Sequence, residues 1–421
     1  MRELAMLTAT EALARIAAGR LSVVEWHEAQ LARIHAAEPT IRAFTAHDPA
    51  HIRAHPPSTG KLAGVPLGVK DVLDTADLPT EYGSSIWTGH RPRADAAAVA
   101  LATSAGAVVM GKTVTTEFAT RRPGPTANPH HTGHTPGGSS SGSAAGVAAG
   151  FFPVAFGTQT AGSIIRPAAF CGVVGFKPTY GTIPRIGMKL MSESLDTICA
   201  LARSLADAAL LVSATGGGDL GNPDQATGAA PRIGICAGPK GAIADDATKS
   251  LLDRAAVAMS KAGAKVSDAT LPTAFHALEQ SHPIMMNGES ALSMAWELAH
   301  HASQISDGLR DRLHWGAAQG IDALRNAQLS IDRLRLAFDD FIGGYDILLT
   351  PSAPGEAPSG LEWTGEPSFN GAWTALHVPC ITVPAGTGPM GLPLGIQIIG
   401  RRGRDRAALA WAGWVQAHLG G

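Results

Sequence analysis

The chain has 421 residues, enough for a large buried core, and 45% of them are hydrophobic, which excludes wholesale disorder. Only 16% are charged and the formal net charge is −2, so the sequence lacks the concentrated basic surface that a nucleic-acid track requires. The four cysteines are far apart and form no C-x-x-C, which argues against a disulfide framework or a zinc site: Cys171, Cys199, Cys236 and Cys380. We expect a small-molecule substrate, no cofactor, no nucleic-acid partner and a reduced, cytoplasmic compartment.

The apolar stretches predict no membrane association. The N-terminal residues lack the continuous apolar segment and the small-residue cleavage site of a secretory signal. The longest apolar segment, residues 143–162, is mostly Ala and Gly and is interrupted by Gly150 and Pro153. Because a spanning helix needs about 20 strongly apolar residues, we expect a buried helix and a buried strand there instead.

In chain order, two capping boxes open the sequence, Thr8-x-x-Glu11 and Ser22-x-x-Glu25, and each predicts a helix. Strand and helix patterns then alternate. Strands are predicted at residues 62–69, 107–110, 154–157, 172–176, 232–236, 265–267, 346–350, 380–384 and 394–399. Further helices are predicted at residues 94–104, 144–149, 204–214, 246–262, 285–301, 321–341 and 405–418.

This alternation is typical of an α/β fold. We expect a single large domain, residues 1–421, with a mixed, mostly parallel β-sheet flanked by helices. Residues 1–60 would form N-terminal helices and residues 61–215 the core that carries the site. Residues 216–421 would complete the sheet and the pocket.

The densest candidate site is the segment Gly137-Gly-Ser-Ser-Ser-Gly-Ser143, within a long polar loop. It contains G-x-S-x-G, which would make Ser140 the nucleophile of an α/β-hydrolase, but a polar stretch precedes it where that motif needs a hydrophobic strand. A phosphate-binding turn is disfavoured because the Gly-Lys-Ser/Thr ending of a P-loop is missing. Taken alone, the segment could also be a flexible turn.

Two other segments change this interpretation, Gly64-Val-Pro-Leu-Gly-Val-Lys-Asp71 and the run that begins Gly157-Thr-Gln-Thr-Ala-Gly-Ser-Ile-Ile-Arg-Pro167. In order and spacing, the three segments resemble the amidase signature family of serine hydrolases, and the malonamidase-type bacterial amidases most of all. The resemblance implies a catalytic Ser-cisSer-Lys triad of Ser163 as nucleophile, Ser139 as bridging serine and Lys70 as base. It also implies a cis Gly138–Ser139 peptide.

The implied activity is hydrolysis of a small carboxylic amide to an acid and ammonia through a Ser163 acyl-enzyme. A lysine acts as a base only when neutral, so its pKa must fall toward 7 to 8 through burial. Lys70 follows an apolar run, which makes burial plausible. One alternative is a component of an amidotransferase, or of another multi-subunit amide hydrolase that needs a partner. A non-catalytic binding protein is a third reading.

The same resemblance places the oxyanion hole at Thr160, Ala161 and Gly162. Predicted substrate-binding residues are Arg166, Gly138 and Gln159. Arg166 would either hold a substrate carboxylate, as in malonamate, or form a structural salt bridge with Asp196.

Two histidine clusters suggest a metal, but neither predicts a site. His47, His51 and His55 are spaced for a helix that prolines interrupt, and the loop carrying His130, His131 and His134 offers no nearby carboxylate. We therefore expect no metal. A homodimer is left open.

Overall fold

The computed structural model describes residues 2–54, 59–225, 229–238 and 243–419. Its strands are β1 Phe44–Ala46, β2 Pro66–Lys70, β3 Val108–Thr113, β4 Val154–Gln159, β5 Val174–Lys177, β6 Thr197–Ala202, β7 Arg232–Ile235, β8 Lys265–Asp268, β9 Ile347–Pro351, β10 Cys380–Thr387 and β11 Pro393–Ile399. Its helices are α1 Arg2–Ala5, α2 Ala9–Ala17, α3 Val23–Ile41, α4 Pro49–Ala54, α5 Ala97–Ser104, α6 Ser141–Ala149, α7 Ile165–Cys171, α8 Leu205–Val212, α9 Asp246–Lys261, α10 Leu278–Ser293, α11 Ala295–His301, α12 Asp307–Phe341, α13 Gly371–Ala375 and α14 Asp405–His418.

All described strands belong to one sheet in the order β1-β3-β2-β4-β6-β5-β10-β11-β9-β7-β8. The predicted single α/β domain with a mixed sheet is confirmed. The expectation of a mostly parallel sheet is wrong, because six of the ten pairings between described strands are antiparallel. The antiparallel strand β6, which the sequence patterns did not predict, lies between β4 and β5. A short apolar run such as β6 cannot be distinguished by periodicity from the beginning of a buried helix.

Local signals at the N-terminus are confirmed. Thr8 and Ser22 cap α2 and α3, and in each capping box the serine or threonine oxygen accepts from the backbone N–H of the glutamate three residues later, Glu11 or Glu25. Each glutamate carboxylate accepts in return from the backbone N–H of its cap residue. Two orphan donors are thereby satisfied at each helix end.

The sheet brings the three motif segments to one edge. Strands β2 and β4 are parallel neighbours, with Val69 opposite Phe156, so their carboxyl ends lie side by side. Lys70 is the last residue of β2, and the turn of residues 160–163 directly follows β4. Helix α6 begins next to them and packs on β2, β3 and β4. In the described part of the chain, no helix combines the length and the hydropathy that a membrane span requires.

The start of α6 depends on a close approach of backbone that only glycine permits. A Cβ on Gly142 would lie 2.1 Å from the carbonyl oxygen of Ala43 and 2.5 Å from the backbone nitrogen of Val114. Because both are main-chain atoms, neither can move aside cheaply. We expect Gly142→Ala to lower the free energy of unfolding by about 1–3 kcal/mol, measured by chemical denaturation. Gly308→Ala in α12, where no atom lies within 4 Å of the added Cβ and φ is not positive, measures the effect of a glycine substitution without a clash. An equal loss in both variants would contradict the close-approach argument.

Candidate active site

The Lys70 ammonium position is completely enclosed between β2, β4 and the Gly/Ser-rich turn. Its Nζ lies 2.7 Å from Ser139 Oγ and 2.8 Å from Thr158 Oγ1, and none of its surface is exposed. Two of the three predicted triad residues are therefore in direct contact. Thr158 was missed, although it lies within the Gly157-Thr-Gln-Thr run that carried the resemblance. The pairing of β4 beside β2 is the only signal that could have singled it out.

Burial gives Lys70 the pKa that a base needs. Desolvation lowers the pKa of Lys70 from its ordinary value near 10.5 to about 7, opposed in part by the carboxylate of Asp196. Asp196 itself is buried and accepts hydrogen bonds from the hydroxyl of Thr160 and from the backbone N–H groups of Met191 and Ser192. It therefore braces the turn after β4 and does not contact Lys70 directly.

The Gly138–Ser139 peptide is cis, as the resemblance implied. The next residue, Ser140, is fully buried, and its hydroxyl bonds the backbone carbonyl and N–H of Thr158, each at 3.3 Å. The G-x-S-x-G interpretation is therefore not supported, since Ser140 ties the beginning of α6 to β4 and does not line the pocket that contains Ser163. A nucleophile needs access to substrate, and Ser140 has none.

Ser163 is partly exposed and lines a pocket that is open to solvent. Among the described residues, no hydrogen bond joins the hydroxyls of Ser163 and Ser139. Catalytic hydrogen bonds are often long in ligand-free sites and tighten when substrate binds. The structure thus brings Ser163 to the pocket and leaves its contact with Ser139 unformed.

The turn before α7 presents unused backbone donors. In the described structure the N–H groups of Ala161, Gly162 and Ser163 donate to no protein acceptor, and all three residues line the pocket together with Thr160. Small side chains leave this backbone accessible. Several free N–H groups in one turn can bind a developing oxyanion.

Gln159 is fully buried beneath this turn and does not line the pocket. Its Oε1 accepts from the backbone N–H groups of Ile164 and Ile165, and its Nε2 donates to Thr374 Oγ1 at 3.0 Å. The structure therefore corrects the predicted substrate contact: Gln159 holds the turn in place from behind.

Arg166 reaches from α7 toward the cis peptide. Its Nη2 donates to the carbonyl oxygen of Gly138 at 2.6 Å and to Thr364 Oγ1 at 3.2 Å, while its Nε and Nη1 have no partner in the described structure. Arg166 is 4% exposed and lines the pocket. The alternative salt bridge with Asp196 is not formed. Gly138 does not line the pocket, so the structure also corrects its predicted substrate contact.

Two more arginines, missed in the sequence, line the same pocket: Arg121 from the loop after β3 and Arg312 from α12. In the described part of the chain neither makes an ion pair or a hydrogen bond. Desolvation, with the charge of Arg121 adding to it, lowers the pKa of Arg312 to about 10, and burial lowers the pKa of Arg166 to about 10, so both remain cations at neutral pH. One carboxylate, Glu366, faces them. The pocket is electropositive.

Among the described residues, no group of three or more His, Cys, Asp or Glu side chains is arranged to hold a metal ion. His130 and His134 bond backbone carbonyl oxygens, those of Cys171 and Ala357, and His47 bonds that of Met110. His55 lies outside the described residues.

Comparison with known proteins agrees with this geometry. A family model described as Amidase matches residues 25–409. A glutamyl-tRNA(Gln) amidotransferase subunit from Rhodopirellula baltica is 32% identical, over 93% of this chain and 92% of the relative. The corresponding subunit from Chloroflexus aurantiacus is 34% identical, over 95% and 94%. A crystal structure described as an amidase superposes with a TM-score of 0.88 at 27% identity, covering 98% of this chain and 99% of the other. These relatives support the amidase family but not the narrower prediction of a malonamidase-type amidase.

Proposed function

The chain belongs to the amidase family, and we propose that it hydrolyses a small carboxylic amide to an acid and ammonia through an acyl-enzyme on Ser163. One observation carries the proposal. A buried lysine with a pKa of about 7 contacts Ser139 and Thr158 of β4, and the turn that directly follows β4 carries Ser163 and three free N–H groups on the pocket wall.

In the proposed mechanism, Ser163 Oγ attacks the amide carbonyl carbon and passes its proton to Ser139, whose own proton moves to neutral Lys70. The N–H groups of the turn stabilise the tetrahedral oxyanion, and each donor lowers the activation free energy by about 2.7–4 kcal/mol. The proton then returns through Ser139 to the leaving nitrogen as the C–N bond breaks. Water, activated by the same relay, cleaves the acyl ester and frees Ser163. The burial that lowers the pKa of Lys70 makes the first transfer accessible near neutral pH.

The charge of the pocket favours an amide that also carries an anion. Arg166 has two unpartnered donors and lines the pocket with Ser163, Arg121 and Arg312 add two cations, and Glu366 is the one carboxylate among the described lining residues. A carboxylate can form a bidentate pair with a guanidinium. Malonamate, with its carboxylate one carbon from the amide, is the substrate that we propose to test first.

Replacing Arg166 with Gln separates this role from a structural one. We expect the KM for malonamate to rise about 10- to 100-fold, the loss of one charged hydrogen-bonding group, and the KM for the uncharged malonamide to change only a few-fold. The measurement is ammonia release across a panel of amides with and without a carboxylate. Arg310→Gln is the matched control, because Arg310 pairs with Asp307 on the same helix as Arg312 and does not line the pocket. Equal losses on both amides would assign Arg166 to structure alone.

A second candidate function is the ammonia-producing subunit of an amidotransferase. The observation in its favour is the identity of 32% and 34% to two such subunits over more than nine-tenths of each chain. The purified chain alone distinguishes the two proposals. Rapid ammonia release from small amides without a partner supports the free amidase. The subunit role is supported if the purified chain releases ammonia from glutamine only after the proteins that copurify with it from cells are added back.

A further inference from the structure

Two buried side chains that do not line the Ser163 pocket bond the turn that carries the free N–H groups. His282 Nε2, from α10, donates to the carbonyl oxygen of Thr160 at 3.0 Å. Thr374 Oγ1, from α13, donates to the carbonyl oxygen of Ala161 at 2.9 Å. Both side chains are buried, with 8% and 1% of their surface exposed. They come from segments more than 100 residues beyond the turn.

Peptide planarity links these carbonyls to the donors. The C=O of one residue and the N–H of the next lie in one plane and, in a trans peptide, point in opposite directions. Fixing the Thr160 carbonyl against His282 therefore sets the direction of the Ala161 N–H. Fixing the Ala161 carbonyl against Thr374 likewise sets the direction of the Gly162 N–H.

Gln159 completes this support. Its Nε2 donates to Thr374 Oγ1, so the single hydroxyl proton of Thr374 is left for a carbonyl, and the contact with Ala161 at 2.9 Å is shorter than that with Asn370 at 3.2 Å. The same amide holds the N–H groups of Ile164 and Ile165 through its oxygen. Hydrogen bonds from α10 and α13 and from Gln159 therefore fix the turn at both of its ends. The turn needs these bonds to hold its conformation, because its glycine and alanine side chains are too small to pack it in place.

We propose that His282 and Thr374 are positioning residues, which hold the Ala161 and Gly162 N–H groups on the oxyanion of the transition state. The proposal rests on the function assigned above to this turn. A donor held within hydrogen-bonding distance of the oxyanion, rather than of the ground-state oxygen, acts on kcat more than on substrate binding.

The test uses paired variants that keep or remove the anchoring donor. His282→Leu and Thr374→Val remove it, whereas His282→Gln and Thr374→Ser retain a group that donates. Because loss of a whole oxyanion donor costs about 10²- to 10³-fold in kcat, a misaimed donor is expected to cost about 10- to 100-fold. KM should change less than about threefold, and the retaining variants should recover most of the rate. His276→Leu is the control, since His276 is exposed just before α10 and contacts Glu279.

A binding measurement separates positioning from general damage. Phenylboronic acid adds to a serine hydroxyl and becomes a tetrahedral anion, whereas benzoate, of similar size, stays trigonal. We expect His282→Leu and Thr374→Val to weaken phenylboronic acid by the same factor as kcat and to leave benzoate binding unchanged. Unchanged kcat and boronate affinity, or an equal loss for both ligands, would overturn the proposal.

The wild-type protein and Ser163→Ala keep the two proposals distinguishable. If the wild type neither hydrolyses amides nor binds the boronate more tightly than Ser163→Ala does, the proposed function fails. If the wild type does both and the His282 and Thr374 variants match it, only the positioning role fails. Should His282→Leu unfold, Thr374→Val and the two conservative variants decide the question, since each changes fewer atoms.

Discussion

Replacing Lys70 with Met is expected to lower kcat/KM for amide hydrolysis by about 10³-fold or more. General bases contribute about 10²- to 10⁴-fold, and this one also controls the proton of Ser139, which lies 2.7 Å from its Nζ. Methionine matches the length of the lysine side chain without a basic atom. The wild-type rate should rise with pH to a plateau, because only the neutral amine accepts a proton. Its midpoint should lie near the pKa of about 7. The measurement is kcat/KM across a pH range of roughly 5.5 to 9, which brackets that value.

A flat wild-type profile across this range, or a Lys70→Met enzyme with full activity, would contradict the assignment of Lys70 as base. Lys177→Met is the matched control, since Lys177 is also completely buried at the end of a central strand but bonds the carbonyl oxygen of Pro178 instead of a serine. We expect that variant to keep the pH midpoint of the wild type.

The same substitution has a consequence for stability with a definite sign. Burial depresses the pKa of Lys70 in the folded state, so between about 7 and 10.5 the unfolded chain binds more protons than the folded one. The free energy of unfolding of the wild type therefore rises with pH through this window. The penalty of charging the buried amine is fully present below a pH of about 7. Relative to Lys70→Met, the wild type should gain stability as the pH rises through this window, which denaturation curves at several pH values would show.

The part of the site that the sequence could predict is the part encoded in short segments. Lys70, Ser139 and Ser163 lie in three motifs, and the small residues of the turn lie in one of them, so order and spacing were sufficient to predict them as site residues. The caps at Thr8 and Ser22 are local in the same sense. Such features depend on neighbours within a few residues.

The features that the sequence did not reveal are those made by distant segments. His282, Thr374, Arg121 and Arg312 come from two helices, a short helix and a loop, and nothing in their own surroundings distinguishes them. Gln159 illustrates the converse. It lies inside a motif, yet its side chain does not line the pocket. The pairing of β4 with β6 determines which way this side chain points. The prediction of a mostly parallel sheet was wrong for the same reason, because hydrophobic patterns do not show whether a strand such as β6 runs parallel or antiparallel to its neighbours.

Removing the hydroxyl of Ser163 has the largest expected effect on activity. Ser163→Ala should reduce kcat by about 10⁴-fold or more, because loss of a serine nucleophile in a comparable hydrolase costs about 10⁶-fold. A fluorophosphonate probe should label the wild-type chain on the peptide that contains Ser163, and mass spectrometry should find no adduct in the variant.

Ser140→Ala provides the contrast that decides between the two serine motifs. The Ser140 hydroxyl is fully enclosed and bonds the backbone of Thr158, so its loss should lower the free energy of unfolding by about 1 kcal/mol. The probe should still label Ser163, because Ser140 is not on the pocket wall. If Ser140→Ala abolished labelling and Ser163→Ala did not, the nucleophile would belong to the G-x-S-x-G turn. Since a buried hydroxyl cannot reach a substrate carbonyl without unfolding the beginning of α6, the geometry favours Ser163.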